Sequence, residues 1–508
     1  KEGQNFLEFA AEKYGEERIG MLIDNFWMYS NFNQVIETTF KESFEQIDAE
    51  WNYWLRKKYY PLMKSSYPTE FGSHKVTKRG FNFTPVYFKL QNRHYLYYHA
   101  NLDGYSSIYR IELSPEYIQI DSPELILRGE QTEELESFHL FQSAIDISDD
   151  GLLVFNNKKG GTDVIHFFSV YENRIVKTFQ NDELLFITSP KFSNDGSRIV
   201  FSAVDRKGFS DVYIYDLQSD KLFRITNDYY NDQDPCFGLD DQQIIFSSDR
   251  TGGEFEGKQN LFSVNLNNYE IQYITYLNAN CQAPILSPEK DLLLFTSDYN
   301  GVRNLYEIPI VDGDYSNSVN KISEFISSVF NPVYIDSNYI TFSGFEKFSF
   351  GLFVFSKKDT KEDSLYSFQM NPDKPLEIWQ AKSLKLPTEK KKAEYEKEYS
   401  LDFAQGVVAT DPIFGTRGGA VFSLSDLLGD DRYIFMIYNN ASVTSEILNS
   451  FNVILQKVNF AERINYGYGI FHLSGPVYDY SDPDEYYYER SFGGSFLLSY
   501  PISKFQRL

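Results

Sequence analysis

The hydrophobic period of the chain changes along its length, and the changes divide it. Over residues 1–62 apolar positions recur at three- and four-residue intervals, the spacing of one helix face. Phe6, Phe9 and Ala10 predict a short helix closed by Gly15, which can take the left-handed conformation of a C-terminal cap. Ile19, Leu22, Ile23 and Phe26 predict a second helix with these four on one buried face. A third helical segment runs from about Phe32 to Tyr59, striped by Val35, Phe40, Phe44, Ile47, Trp51, Trp54 and Leu55. It is expected to break near Glu42-Ser43 and to end at Pro61.

From about Phe81 the period becomes that of strands, and a unit of about 45 to 50 residues repeats. Its plainest copy holds Asn194-Asp195-Gly196 as a tight turn, Ile199-Val200-Phe201 as a buried strand, Val212-Tyr213-Ile214-Tyr215 as the next, and a turn over Asp216 to Ser219. Pro190 recurs as Pro235, Pro284 and Pro332; Phe201-Ser202 recurs as Phe246-Ser247, Phe295-Thr296 and Phe342-Ser343. The third strand recurs as Asp211-Val-Tyr, Asn260-Leu-Phe, Asn304-Leu-Tyr and Gly351-Leu-Phe. An earlier copy lies at Ala144 to Phe155, and a weaker one at Pro85, Tyr95 to Tyr98 and Ser107 to Tyr109, which makes six. A unit of four short strands cannot bury both faces alone, so the copies must stack, and radial closure leaves no long exposed edge. The expectation is a six-bladed β-propeller over residues 75–370; a linear β-solenoid usually has shorter repeats without this internal strand-turn-strand pattern.

Residues 371–400 read as a charged, solvated linker, with a turn at Asn371-Pro372-Asp373 and a run of Lys and Glu from Glu389 to Glu398. Beyond it, over 401–508, strands return with a different texture. Asn465 to Ile470 alternates large apolar residues with Gly or Asn, and Phe492, Gly494, Phe496, Leu498 and Tyr500 alternate with Gly493, Ser495, Leu497 and Ser499. Apolar outward and small or polar inward is the pattern of a membrane-spanning barrel, and periodicity alone does not separate it from a soluble sandwich. The fold class is therefore mainly β: a six-bladed propeller, a short N-terminal helical segment and an incomplete antiparallel barrel-like sheet.

Composition sharpens this picture in a few places. Among 508 residues there are 39 Tyr and 45 Phe against 4 Trp, suited to pleated, β-rich packing. A formal charge of -24 argues against nucleic acid and against anionic headgroups as partners. Cys236 and Cys281 are open to pairing between adjacent blades, although two unpaired core thiols are the simpler reading. No apolar run is long enough for a membrane helix. The chain opens within a helical pattern, so its natural start is expected upstream of Lys1.

Three resemblances follow. Ser193 to Ser202 and Phe246-Ser-Ser-Asp-Arg-Thr-Gly252, with Asn260-Leu-Phe after them, resemble the TolB-type WD-like repeat of bacterial periplasmic proteins. Gly3 to Gly15 and Glu50 to Arg56 resemble the C-terminal helices of MA-like gluzincin peptidases, whose HExxH zinc helix would precede this segment. None of the six histidines (His74, His94, His99, His139, His166, His472) has metal-ligand spacing. Gly415 to Asp430 and Ser499 to Leu508 resemble the first strands of the BamA-like surface-antigen outer-membrane barrel. About five strands are too few to close that barrel, so a continuation beyond Leu508 is expected.

These resemblances imply a non-catalytic binding or assembly module of the cell envelope, on the periplasmic side of the bacterial outer membrane. The propeller face would take a protein or peptide, and the barrel-like part would meet the outer membrane. The alternative is the accessory propeller of a zinc metallopeptidase with its catalytic region upstream; no G-x-S-x-G elbow supports a serine hydrolase. Candidate binding residues lie in turn-rich loops: Asp205, Arg206, Tyr229, Tyr230, Asp232, Asp234 and Arg250. Ordinary solvated loops would read the same way. Asn194-Asp195-Gly196, Asp149-Asp150-Gly151 and Asp240-Asp241 lack the length and terminal Glu of a calcium loop and read as turns. No catalytic residue, metal ligand or cofactor is assigned.

Overall fold

A computed structural model describes the chain except residues 1, 65, 142, 360–365, 373–394, 412–414, 440, 442–448, 479–485 and 504. The chain forms two compact units, one of Lys1–Gly129 with Glu134–Gln380 and one of Glu130–Glu133 with Ala381–Leu508. Most of the expected linker, 373–394, lies outside the described residues.

The first unit opens with helices Glu2–Tyr14, Glu17–Asp24, Phe32–Phe40 and Phe44–Met63, which pack around Phe9, Ala10, Leu22, Val35, Ile36, Phe40 and Ile47. Gly15 has φ +90° and ends the first helix as expected. The break near Glu42-Ser43 is sharp: Lys41 turns left-handed, and Ser43 and Gln46 form a reciprocal capping box. Two helical expectations need correction. The second helix stops at Asp24, so Phe26 leaves its stripe, and only Leu22 of the four apolar positions is buried. Pro61 does not end the last helix, because a proline near a C-terminus costs one backbone bond and Lys64 N–H closes the final turn on the Pro61 carbonyl.

Six consecutive antiparallel sheets follow. Blade 1 holds Phe81–Leu90, Arg93–Asn101, Ser106–Leu113 and Glu124–Arg128; blade 2 centres on Leu152–Lys159, Thr162–Ser169 and Arg174–Gln180. Blade 3 is Leu184–Phe192, Arg198–Asp205, Ser210–Asp216 and Lys221–Arg224, and blade 4 is Asp232–Phe237, Gln243–Ser248, Asn260–Asn265 and Ile271–Tyr273. Blade 5 runs Cys281–Leu286, Leu292–Ser297, Asn304–Val311 and Ser318–Lys321, and it gains a further strand, Tyr366–Gln369, from the very end of the expected propeller span. Blade 6 takes Val329–Tyr334, Tyr339–Glu346 and Ser349–Ser356, and its outer strand is His74–Lys75 from before blade 1.

That borrowed strand closes the ring with the same bonds the repeat uses elsewhere. The N–H groups of Val212, Leu261 and Leu305 donate to the hydroxyls of Thr226, Thr275 and Ser323 at 3.0, 2.8 and 2.9 Å. In blade 6 Leu352 N–H donates to Thr77 at 2.9 Å, so Val76-Thr77 does the work of Ile225-Thr226.

Both faces of each blade are covered. Ile199 and Phe201 pack with Val154, Ile165 and Phe167 of blade 2, while Val200 between them packs with Ile244 and Phe246 of blade 4. A continuous apolar run is what a strand between two neighbours requires. The turns hold as read: Gly196 has φ +68°, and Asp216 accepts from the N–H groups of Gln218 and Ser219. Cys236 and Cys281 are free and buried, and burial pushes both thiols up to about 12.

The second unit is one antiparallel meander of Tyr399–Asp411, Gly415–Asp426, Asp431–Asn439, Phe451–Asn459, Asn465–Tyr478 and Tyr486–Ser499, followed by a small hairpin. It has six strands where the sequence suggested about five. Tyr466, Tyr468 and His472 pair across the last two strands with Leu498, Phe496 and Phe492, placing these side chains on one face. In the first hairpin, Ser423 and Ser425 donate to Asp402 at 3.0 and 2.6 Å. Gly429 (φ +76°) turns the Ser425 to Asp430 phrase, leaving Leu427 and Leu428 exposed at its tip. No helix among the described residues is long and apolar enough to cross a membrane, which says nothing of strands.

Candidate functional site

The recurring proline marks the axis of the propeller. Pro85, Pro235, Pro284 and Pro332 line a channel pinched to about 30 Å³, together with Ala144, Ile145 and Lys191 from the other inner strands. The residue before each proline is left-handed: Thr84 (φ 51°), Ser189 (52°), Asp234 (49°), Ala283 (53°) and Asn331 (49°). Residues before proline prefer extended backbone, so each of these five positions costs about 1–3 kcal/mol. At each of them the ladder also skips register, as between Gln233 and Cys236. The bulge turns an N–H toward the neighbouring blade. Thr84 N–H donates to Ser343, Ser189 N–H to Ser143 and Ala283 N–H to Asp234, at 3.0, 3.1 and 3.2 Å. Inter-blade bonds offset the backbone cost.

Above this constriction, where the inner strands enter, the channel opens into a cavity of about 270 Å³. Residues of blades 3 to 6 line it, with Phe141 from blade 2. Its walls combine aromatic side chains, Phe141, Phe186 and Phe330, with amides, Asn231, Gln233, Gln282 and Asn331. The amides are chained: Gln282 donates to Gln259, Gln259 to Gln233 at 3.3 Å, and Gln233 to Asn231 at 3.2 Å. The lining also holds two charged groups, Asp234 and Arg303. Asp234 accepts from Ser189 Oγ at 3.0 Å and from Ala283 N–H, so its carboxylate ties blades 3, 4 and 5 together.

The sequence-predicted residues gather at this same end of blades 3 and 4, but only Asp234 lines the cavity. Asp232 is buried under Arg250, which donates to both its oxygens at 2.8 and 2.7 Å and also to Asp228 at 3.1 Å. Burial pushes the Asp232 carboxyl up to about 6, against the pull of that guanidinium. Tyr230 lies beneath Arg250, whose guanidinium stands 5.1 Å from the ring centre. Asp205 sits beside this network, accepting from Arg224 at 3.3 Å and from the N–H groups of Lys207 and Phe209 at 2.7 and 3.2 Å. Tyr229 and Arg206 are exposed at the rim; Tyr229 meets Phe209 edge-on at 5.0 Å, and Arg206 donates to the Asp182 carbonyl at 2.8 Å.

Asp211, Asp228 and Asp232 are the one group of three close enough to hold a cation among the described residues. Arg224 and Arg250 already donate to these carboxylates, so the cluster is an ion-pair network between blades 3 and 4. Asp195 accepts from Ser193 and Ser197, which hold its carboxyl down at about 2, the work of a turn residue.

Arg303 was missed by sequence reasoning. A signal existed: Arg303 directly precedes Asn304, the register filled by Ser210 before Asp211 and Gln259 before Asn260. Phe350 fills it before Gly351, so among these copies a charge is the exception.

No protein-family profile matches the chain. Solved structures similar to it include TolB from Acinetobacter baumannii, at 14% identity over 54% of this chain and 79% of that one, with a TM-score of 0.34. A putative TolB from Agrobacterium tumefaciens matches at 14% identity over 44% of this chain and 74% of that one, TM-score 0.36. A prolyl endopeptidase matches at 9% identity over 84% of this chain and 60% of its own, TM-score 0.36. At these scores the propeller assignment stands on the sheet order and ring closure of this chain itself.

Proposed function

We propose that the chain is a non-catalytic binding or assembly module of the cell envelope. Its propeller takes a protein or peptide segment at the wide end of the channel, and its C-terminal sheet meets the bacterial outer membrane from the periplasmic side. The observation that carries the binding reading is the cavity of about 270 Å³ where the inner strands converge, lined by both aromatic and amide side chains. It lies close to the lower end of ligand-cavity sizes and mixes apolar walls with a few directed polar groups. An extended peptide offers both kinds of surface. The exposed loop residues Tyr229 and Arg206 stand at the same end, available to the rest of a protein partner.

Two measurements test this reading. Peptides selected from a random display library should bind the intact chain and lose affinity in Phe186→Ala and Asn331→Ala; selected peptides that bind both variants unchanged would place recognition elsewhere. For the membrane part, the chain should need detergent or lipid to remain monodisperse. A chain that stays soluble and monomeric without either refutes the outer-membrane assignment.

A further inference from the structure

We propose that Arg303 anchors a ligand carboxylate in the channel mouth, so that the bound segment presents either its C-terminal carboxylate or an acidic side chain there; this rests on the peptide-binding reading above. Arg303 lines the cavity, with its guanidinium 5.1 Å from the ring centre of Phe330. Among the described residues no carboxylate pairs with it and no hydrogen bond from its side chain is formed. The other arginines lining this end of blades 3 and 4 are matched: Arg224 with Asp211 and Asp205, Arg250 with Asp232 and Asp228.

The two acidic groups nearest in charge to Arg303 are Asp298 and Asp234, and both are committed elsewhere. Asp298 accepts from Asn280 N–H and from its side-chain amide at 2.7 and 2.8 Å, and Asp234 holds Ser189 and Ala283. Burial pulls the guanidinium of Arg303 below its usual range, the mark of a cation not fully compensated by its surroundings.

A planar fork of N–H donors facing a cavity matches an oxyanion that accepts two parallel bonds. The charge selects a monoanion. One guanidinium can pair one carboxylate, while the charges of Asp234 and Asp298 in its field oppose the second negative charge of a phosphate dianion. The aromatic walls of Phe141, Phe186 and Phe330 favour an apolar group beside that carboxylate.

The probes are N-acetyl-alanyl-phenylalanine, its C-terminal amide, and N-acetyl-aspartyl-phenylalanine amide, titrated by calorimetry or NMR into the whole chain. The expected result is that at least one carboxylate-bearing probe binds about tenfold more tightly than the uncharged amide. The free acid winning identifies a C-terminal carboxylate, and the aspartyl amide winning identifies a side chain. Arg303→Gln should erase the gap, Arg303→Lys should restore part of it, and Arg174→Gln, exposed on the outer strand of blade 2 and paired with Glu172, should leave it intact. Acid and amide binding equally to the unaltered chain overturns the proposal while the peptide reading stands. A gap that persists in a folded Arg303→Gln overturns it as well. No binding of any probe at millimolar concentration overturns both.

Discussion

The propeller and the C-terminal sheet are both antiparallel and both rich in Phe and Tyr, yet they place those residues in opposite surroundings. In blade 3 the consecutive Ile199, Val200 and Phe201 are each 0% exposed, because a neighbouring blade lies against either face. In the C-terminal sheet Tyr468, Ile470, Phe492 and Phe496 are 53%, 64%, 82% and 73% exposed and alternate with Gly and Ser. A side chain of this size gains about 1.5–3 kcal/mol on full burial. The propeller collects that gain within its own ring. The sheet leaves it uncollected on one face, which is the physical reason for proposing a lipid neighbour there.

Acid should separate the two regions most strongly. Burial pushes His99 in blade 1 down to about 3 and His166 in blade 2 down to about 4, from an ordinary value of 6.5. The folded propeller therefore binds fewer protons than the unfolded chain between those values. Its stability is fully present above pH 6.5 and falls as pH drops through the window, by about 1.4 kcal/mol per pH unit for each histidine. Urea midpoints of the propeller's unfolding, read across that range, give the slope; His166→Gln should remove its own share. An unchanged slope in His99→Gln with His166→Gln would show that other groups carry the acid response.

The next contrast is a pair of truncations. Phe201→Ala should cost about 3–5 kcal/mol in aqueous buffer and Phe496→Ala less than about 0.5. Comparable losses in thermal midpoint would mean that the C-terminal face is covered in water after all. Smaller still, Thr77→Val strips the acceptor from the buried Leu352 N–H and should cost about 1–3 kcal/mol. Faster exchange of amides at the seam between blades 6 and 1, with blade 3 unaffected, would locate the damage at the closure. Smallest is Asp195→Ala, which loosens one exposed turn by no more than about 1 kcal/mol. Its turn bonds are intact above the ordinary carboxylate range and weaken as pH falls toward about 2, so the variant and the parent should converge at low pH.

Much of the fold was legible because the repeat writes each structural need into the same register. Gly196 serves a left-handed turn, Pro235 marks the bulged inner strand, and Asn260 holds the exit of the outer strand through Thr275 and Leu277. The outer strand of blade 6 was harder to see, since His74-Lys75 lies about 280 residues from its partners Phe353 and Val354. The site was legible only in part. Loop composition pointed to the correct end of blades 3 and 4, but it could not tell Asp232, buried under Arg250, from Asp234, which lines the cavity. Both are Asp residues two apart in one turn-rich stretch, which regular alternation would put on one face; the bulge at Asp234 (φ 49°), where register skips between Gln233 and Cys236, turns them to different neighbours.

By itself the sequence determined the periods, the copy number of the propeller and turns such as those at Gly196 and Asp216, because these follow from local backbone preference and from which face of a strand must be apolar. Only the tertiary structure decided which charges are matched. Arg250 and Arg303 occupy closely related loops of adjacent blades, and nothing local distinguishes a guanidinium with two carboxylates beneath it from one that faces a cavity. That difference arises where five blades meet, among residues far apart in the chain.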